Sequence, residues 1–149
     1  MAKIGVLGSI AIDNIIATEH IPVGGERVYG QWMGRYLGGM AVNQSLEAAR
    51  YFDGVEIIGK VGGDSEGRRI ISQLTSHNVG TNSLLVDKNM VTGQSYMYVV
   101  EDDYFSIVTQ EANMEITAEE AENAVGVLGD GMLMASLEIN VDAALAAIL

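Results

Sequence analysis

The stretch "YLGGMAVNQSLEAARYF", Tyr36–Phe52, sets two adjacent glycines between a segment that reads as extended and one that reads as helical. From Ala41 to Tyr51 the apolar residues Val42, Leu46 and Ala49 recur at helical spacing, and Asn43 falls on the first turn. Glycines at such a place make a tight turn, because they tolerate positive φ without a steric penalty. They also let backbone approach a ligand at the positive end of a helix. The neighbouring segments decide between these two uses.

On the N-terminal side, "KIGVLGSI" (Lys3–Ile10) is a short apolar run, as expected of a strand buried on both faces of a parallel sheet. "ERVYGQWMGRYL" (Glu26–Leu37) is rich in aromatic and β-branched residues and is punctuated by Gly30 and Gly34. It reads as two short strands with a bend. On the C-terminal side, "VEIIGKVG" (Val55–Gly62) is a second buried-type strand. Asp64 or Ser65 then caps a helix with Ile70, Ile71 and Leu74 as its inner stripe.

Further on, "SLLVDK", "GQSYMYVVE" and "YFSIVTQ" are three strand-like runs, the last two joined by the polar turn Glu101–Asp103. Thr117 and Glu120 form a capping-box pattern ahead of Ala121, Val125 and Leu128. "GMLMASLE" (Gly131–Glu138) reads as another buried strand, and Asn140 caps a last helix, "VDAALAAIL". Alternating strands and helices at both ends predict a parallel α/β sheet with right-handed crossovers. The aromatic strands predict a smaller sheet beside it. The last helix is apolar nearly all round, which predicts cover from further structure.

The 149 residues suffice for one domain, and an apolar content of 48% places the chain among globular proteins. Eight basic against 20 acidic residues give a net charge of −12, which argues against nucleic acid or an anionic membrane as partner. The absence of cysteine excludes disulfides, thiolate catalysis and cysteine–zinc sites. His20 and His77 are isolated, so no histidine-rich metal site is expected. The N-terminal apolar run meets Asp13 without a cleavage pattern, and no run approaches the roughly 18 apolar residues of a membrane span, so a cytoplasmic setting is expected.

Both common nucleotide loops are missing. Gly5 and Gly8 do not continue into G-x-G-x-x-G spacing, and no phosphate-cradling Gly-Lys-Ser/Thr sequence occurs. Instead, a carboxylate, Asp13, comes soon after the first strand, at the edge where open α/β sheets bind ligands. A fixed carboxylate there can accept hydrogen bonds from vicinal hydroxyls, or it can simply cap a turn.

Four segments taken together, "GSIAIDN" (Gly8–Asn14), "GGERVYG" (Gly24–Gly30), "GGMAVNQS" (Gly38–Ser45) and "GKVGGDSEG" (Gly59–Gly67), resemble in order and spacing the N-terminal half of the ribokinase-like (PfkB) carbohydrate kinases. "EANMEIT" (Glu111–Thr117) and "MASLEIN" (Met134–Asn140) also fall where that family has counterparts. The resemblance covers nearly the whole chain. It departs at Phe52, where the first family signature has a small residue.

The resemblance implies a ribokinase-like three-layer α/β fold, with a mostly parallel central sheet and a small β-lid. Residues 26–37 and 83–109 would build the lid, which often makes a homodimer contact. It implies sugar-binding roles for Asp13, Gly38, Gly39, Asn43 and Glu138, and a structural role for the Gly63-Asp64 turn. A double glycine followed by Asn suits a polyol, whose hydroxyls backbone N–H groups and an amide can satisfy.

Ribokinases proper carry Lys-Gly after the double glycine; Met40 and Ala41 stand there, a departure that bears on which sugar is accepted. ATP and Mg2+ are the implied co-substrate and cofactor. The family's Gly-Ala-Gly-Asp motif, with the catalytic base and anion hole, and its Asn-x-x-Glu magnesium motif do not occur in these 149 residues, so no catalytic residue is assigned. The expected function is the sugar-binding half of an ATP-dependent carbohydrate kinase. The alternatives are a naturally short non-catalytic sugar-binding or dimerisation module, and a nucleoside kinase of the same fold.

Overall fold

A computed structural model describes residues 3–149. The first sheet is wholly parallel. It contains β1 (Ile4–Leu7), β4 (Val55–Gly62), β5 (Leu84–Asp87) and β8 (Met132–Ala135), in the order β5-β4-β1-β8. The second is mixed, with β2 (Ala11–Ala17), β3 (Gln31–Gly38), β6 (Gly93–Val100) and β7 (Asp103–Thr109) in the order β3-β2-β6-β7. Helices α1 (Met40–Ala48) and α2 (Ser65–Ser76) cover one face of the first sheet, and α3 (Ala118–Gly126) and α4 (Val141–Ile148) the other.

The continuous apolar runs of β1 and β4 follow from this double cover. Val6 and Ile57 point into one core with Val42, Ile70 and Leu74, whereas Leu7 and Ile58 point into the other with Ile116, Ala121 and Ala144. Alternate residues of one strand thus feed opposite cores.

The helix starts obey the sequence signals. Asp64 caps α2 by accepting from Gly67 N at 2.8 Å, and it also accepts from Thr92 N (2.8 Å) and Thr92 Oγ1 (2.7 Å). Burial alone would raise its pKa, but these bonds outweigh that and hold the carboxyl below its usual range. Thr117 and Glu120 form the reciprocal capping box at α3, and Asn140 caps α4. Lys60 is buried on β4. Its ammonium donates to Glu120 (2.7 Å) and to the carbonyl of Glu115 (2.8 Å), so a desolvated cation is paired and hydrogen-bonded.

Four expectations are corrected. Residues 26–30 form no strand, and β3 is one strand with an extra residue: Gly34 faces Ile15 and Trp32 faces Ile16, leaving Met33 bulged. Leu84–Asp87, which its sequence groups with the small sheet, pairs in parallel with β4 at the edge of the first. Its lone exposed residue, Val86, marks it as a half-covered strand.

Met132–Ala135 is an edge strand rather than a buried one, with Met132 63% exposed. Asp13 lies inside β2, a strand the sequence does not announce, because buried Asn14 interrupts its apolar pattern. Asn14 is fully engaged, donating to Gln94 Oε1 and the Ser95 carbonyl and accepting from Arg35. Helix α4 buries Ala143, Ala144 and Ala147 and exposes Val141, Leu145 and Ile148. Among the described residues no helix is long and apolar enough to cross a membrane.

Replacing Asp64 by Ala is expected to lower the unfolding free energy by about 2–3 kcal/mol in a denaturant titration, since it removes a cap and two tertiary bonds. The depressed pKa fixes the sign of the pH effect. The parent keeps this stability above the ordinary aspartate range and loses it as the pH falls through the folded-state pKa, and the variant lacks that dependence.

Candidate functional site

Between the two sheets lies a cavity of about 480 Å³. Its roof follows from the register of the second sheet, in which facing residues share a side. Asp13 on β2 stands opposite Ser95 on β6, which stands opposite Val108 on β7. Two residues along, Met97 faces Ser106. All five line the cavity, as does Tyr104. The floor comes from the crossings between sheets and helices: Ser9, Gly39, Met40, Asn43, Asn113 and Glu138.

Of the five residues implicated by sequence, Asp13, Gly39, Asn43 and Glu138 line this one cavity. They come from β2, the start of α1 and the segment after β8. Gly38 is buried and sits behind Asp13; a Cβ there would collide with the Asp13 carboxyl. Its missing side chain therefore makes room for the carboxylate. Gly39 has φ +90° and ψ 148°, a region essentially closed to other residues, and a Cβ there would strike the carbonyl of Ser9.

Because Gly39 has no side chain to cap α1, Ser9 does so from another segment. Met40 N donates to Ser9 Oγ at 3.0 Å and Ala41 N to the Ser9 carbonyl at 3.0 Å. The first N–H groups of α1 are thus bonded within the protein. The Asn43 side chain remains exposed in the cavity. Ser9 Oγ in turn donates to Glu138 Oε2 at 2.7 Å, which aims that carboxylate.

Burial holds the Asp13 carboxyl above its usual range, and contact with the Ser95 hydroxyl draws it partway back. Among the described residues no Lys, Arg or His lines the cavity, so its charges are the two carboxylates. No group of three or more acidic or histidine side chains converges to hold a metal ion among those residues. No magnesium ligand is therefore assigned among the described residues.

Ser9 and Asn113 belong to the site although sequence assigned them no role. Both use their polar atoms on neighbouring protein groups, a function that carries no motif of its own.

A parallel core sheet with a second, mixed sheet beside it is the fold of ribokinase-type kinases. Ribokinase from Arabidopsis thaliana, solved with ribose and ATP, superposes with a TM-score of 0.76 at 22% identity, over 99% of this chain and 50% of that one. The chain belongs to the pfkB family of carbohydrate kinases, whose family model matches residues 1–143. It is 32% identical to ribokinase from Bacillus subtilis over 125 residues, 84% of this chain and 43% of the relative. It is 29% identical to mouse ribokinase over 149 residues, 99% of this chain and 46% of the relative. The chain spans about half the length of the curated relatives it matches.

The raised pKa means that ionised Asp13 weighs against folding at neutral pH, a penalty relieved as the pH falls through that pKa. Asp13→Asn is therefore expected to raise the melting temperature of the unliganded protein at pH 7, with the gap closing toward about pH 4. An equal or lower melting temperature at pH 7 would mean that the carboxylate is better solvated than its position implies.

Proposed function

We propose that this protein binds a neutral, polyhydroxylated sugar between its two sheets, as the sugar-side half of a cytoplasmic kinase that transfers the γ-phosphate of ATP to a sugar hydroxyl. The observation that carries this is the convergence of Asp13, Asn43 and Glu138 on one cavity that has acceptors for hydroxyl protons and, among the described residues, no cationic side chain. An ionised Asp13 accepts from hydroxyls, Glu138 stands fixed by Ser9, and the Asn43 amide offers both a donor and an acceptor. The second sheet acts as a lid that excludes water. Two carboxylates without a counter-cation repel a phosphate or carboxylate on the ligand, which favours an uncharged sugar over its phosphorylated form.

ATP and Mg2+ enter as the kinase's co-substrate and cofactor. Magnesium would neutralise phosphate charge during transfer. No base for the attacking hydroxyl is assigned among these residues. Titration calorimetry with ribose and other neutral sugars, set against ribose 5-phosphate, tests the reading. Neutral sugars are expected to bind at least about tenfold more tightly, and Asp13→Asn is expected to weaken them by about 1–3 kcal/mol. Equal affinity for the phosphate, or no effect of the substitution, would remove the carboxylates from recognition.

The homodimer contact belongs to the outer face of the second sheet, away from the cavity. Trp32, Tyr96, Phe105 and Ile107 are exposed there, and the Phe105 ring lies 6.1 Å from that of Tyr98. Phe105→Asp is expected to convert a dimer to a monomer in sedimentation velocity. A parent that sediments as a monomer at micromolar concentration would refute this contact.

A further inference from the structure

The chain passes between the two sheets four times. It leaves β1 for β2 through Ser9 and Ile10, and leaves β3 for α1 through Gly39. It enters β6 through Thr92, and leaves β7 through a short 3-10 turn, Glu111–Met114. Asn113 is 2% exposed and lies in that turn. Its Oδ1 accepts from Ile10 N at 2.8 Å and its Nδ2 donates to the Ile10 carbonyl at 2.9 Å. An amide side chain thereby acts as a one-residue strand, pairing with backbone at the point where β1 ends and β2 begins.

The same turn reaches a third crossing. Ala112 N donates to the Val91 carbonyl at 3.2 Å. A Cβ on Gly93 would lie 2.5 Å from Asn113 Nδ2 and 2.9 Å from the Ile10 carbonyl, so β6 starts in direct contact with this pair.

We infer that Asn113 is a positioning residue that fixes the pivot between the two sheets and, through Ile10, sets where Asp13 and Ser9 stand. The inference rests on the sugar-site reading for its functional consequence but not for its geometry. Ile10 is three residues before Asp13, with only extended backbone between. It directly follows Ser9, which aims Glu138 and caps α1. One amide therefore fixes both sides of the cavity. Asn113 need not touch the sugar, since both its polar groups are already used.

The test uses Asn113→Asp, which is isosteric and so keeps the packing. Its carboxylate accepts from Ile10 N but opposes the Ile10 carbonyl, lone pair against lone pair. The charged groups nearest in the fold are Asp13 on β2 and Glu138 after β8, which line the same cavity, Glu111 within the turn, Glu115 at its end, and Lys60 on β4, the last already held by Glu120. Burial among mainly acidic neighbours raises the pKa of the new carboxyl, so acid restores an O–H donor to the Ile10 carbonyl.

Two quantities are read against the parent at each pH between about 5.5 and 8: affinity for a neutral sugar, and hydrogen exchange at the Ile10 amide. The variant is expected to bind about tenfold more weakly at pH 8 and to exchange about tenfold faster, with both deficits shrinking toward pH 5.5. Asn113→Ala is expected to show the loss at every pH. Parent-like affinity in Asn113→Asp, or a fixed deficit with an unaltered Ile10 amide, overturns the assignment. Should the parent bind no neutral sugar, the sugar reading falls, and Ile10 exchange alone decides the pivot: faster exchange upholds it, unchanged exchange overturns it.

Discussion

The backbone of Ser9 and Ile10 is the joint on which the two sheets hang. Within these two residues the chain leaves a buried parallel strand and begins a strand of another sheet. It must do so without abandoning peptide groups in a dry interior, where each lost hydrogen bond costs about 1–3 kcal/mol. Every partner comes from a distant part of the sequence. Ile10 pairs with Asn113, and the Ser9 carbonyl and hydroxyl serve Ala41 and Met40 at the start of α1. The required closeness explains the composition of the joint. Gly39 has no room for a side chain against Ser9, and Gly93 has none against Ile10 and Asn113.

The remaining connection shows the same economy. Asp64 caps α2 and also takes two bonds from Thr92, so one carboxylate fixes both a helix start and the point where the chain rises into the second sheet. Arg35 of β3 bonds Asn14 within the second sheet and Glu66 on α2 outside it. The second sheet is thus held at its base by oriented polar groups, while its far strand, β7, is exposed on both faces. Hydrogen bonds define an angle more sharply than apolar packing does, and a sheet held only along one border can still move as a unit.

Much of the first sheet is legible from residues alone, because its signals are local. Val55–Gly62 is apolar on both faces, Asp64 and Thr117 sit at helix starts with partners three residues on, and Asn140 repeats the pattern. The second sheet is harder to read. β2 hides behind a buried Asn whose partners lie 21 to 81 residues away, and Leu84–Asp87 looks like its strand-like neighbours although it pairs elsewhere. Asp13, Gly39, Asn43 and Glu138 are legible through the family motifs they sit in, although Asp13 lies inside a strand rather than at the end of one. The roles of Ser9 and Asn113 are not, since a side chain that bonds only to protein leaves no pattern in a single sequence.

At Asp13 the fold leaves a carboxylate short of donors. The carboxylate stands among Ala11, Ser95 and Met97, and its raised pKa records that its surroundings favour the neutral acid. By contrast Asp64, with three donors from the protein, is held charged. The difference between these two aspartates is one of donors. Asp64 has its complete set from the fold, whereas Asp13 has a single hydroxyl contact and an open cavity before it. On the proposed sugar-binding reading, a ligand with adjacent hydroxyls would supply the missing donors, and part of its binding energy would come from relieving a charge the fold leaves under-solvated. That relief is greatest for a ligand that brings donors and no negative charge of its own, as a sugar does and a sugar phosphate does not.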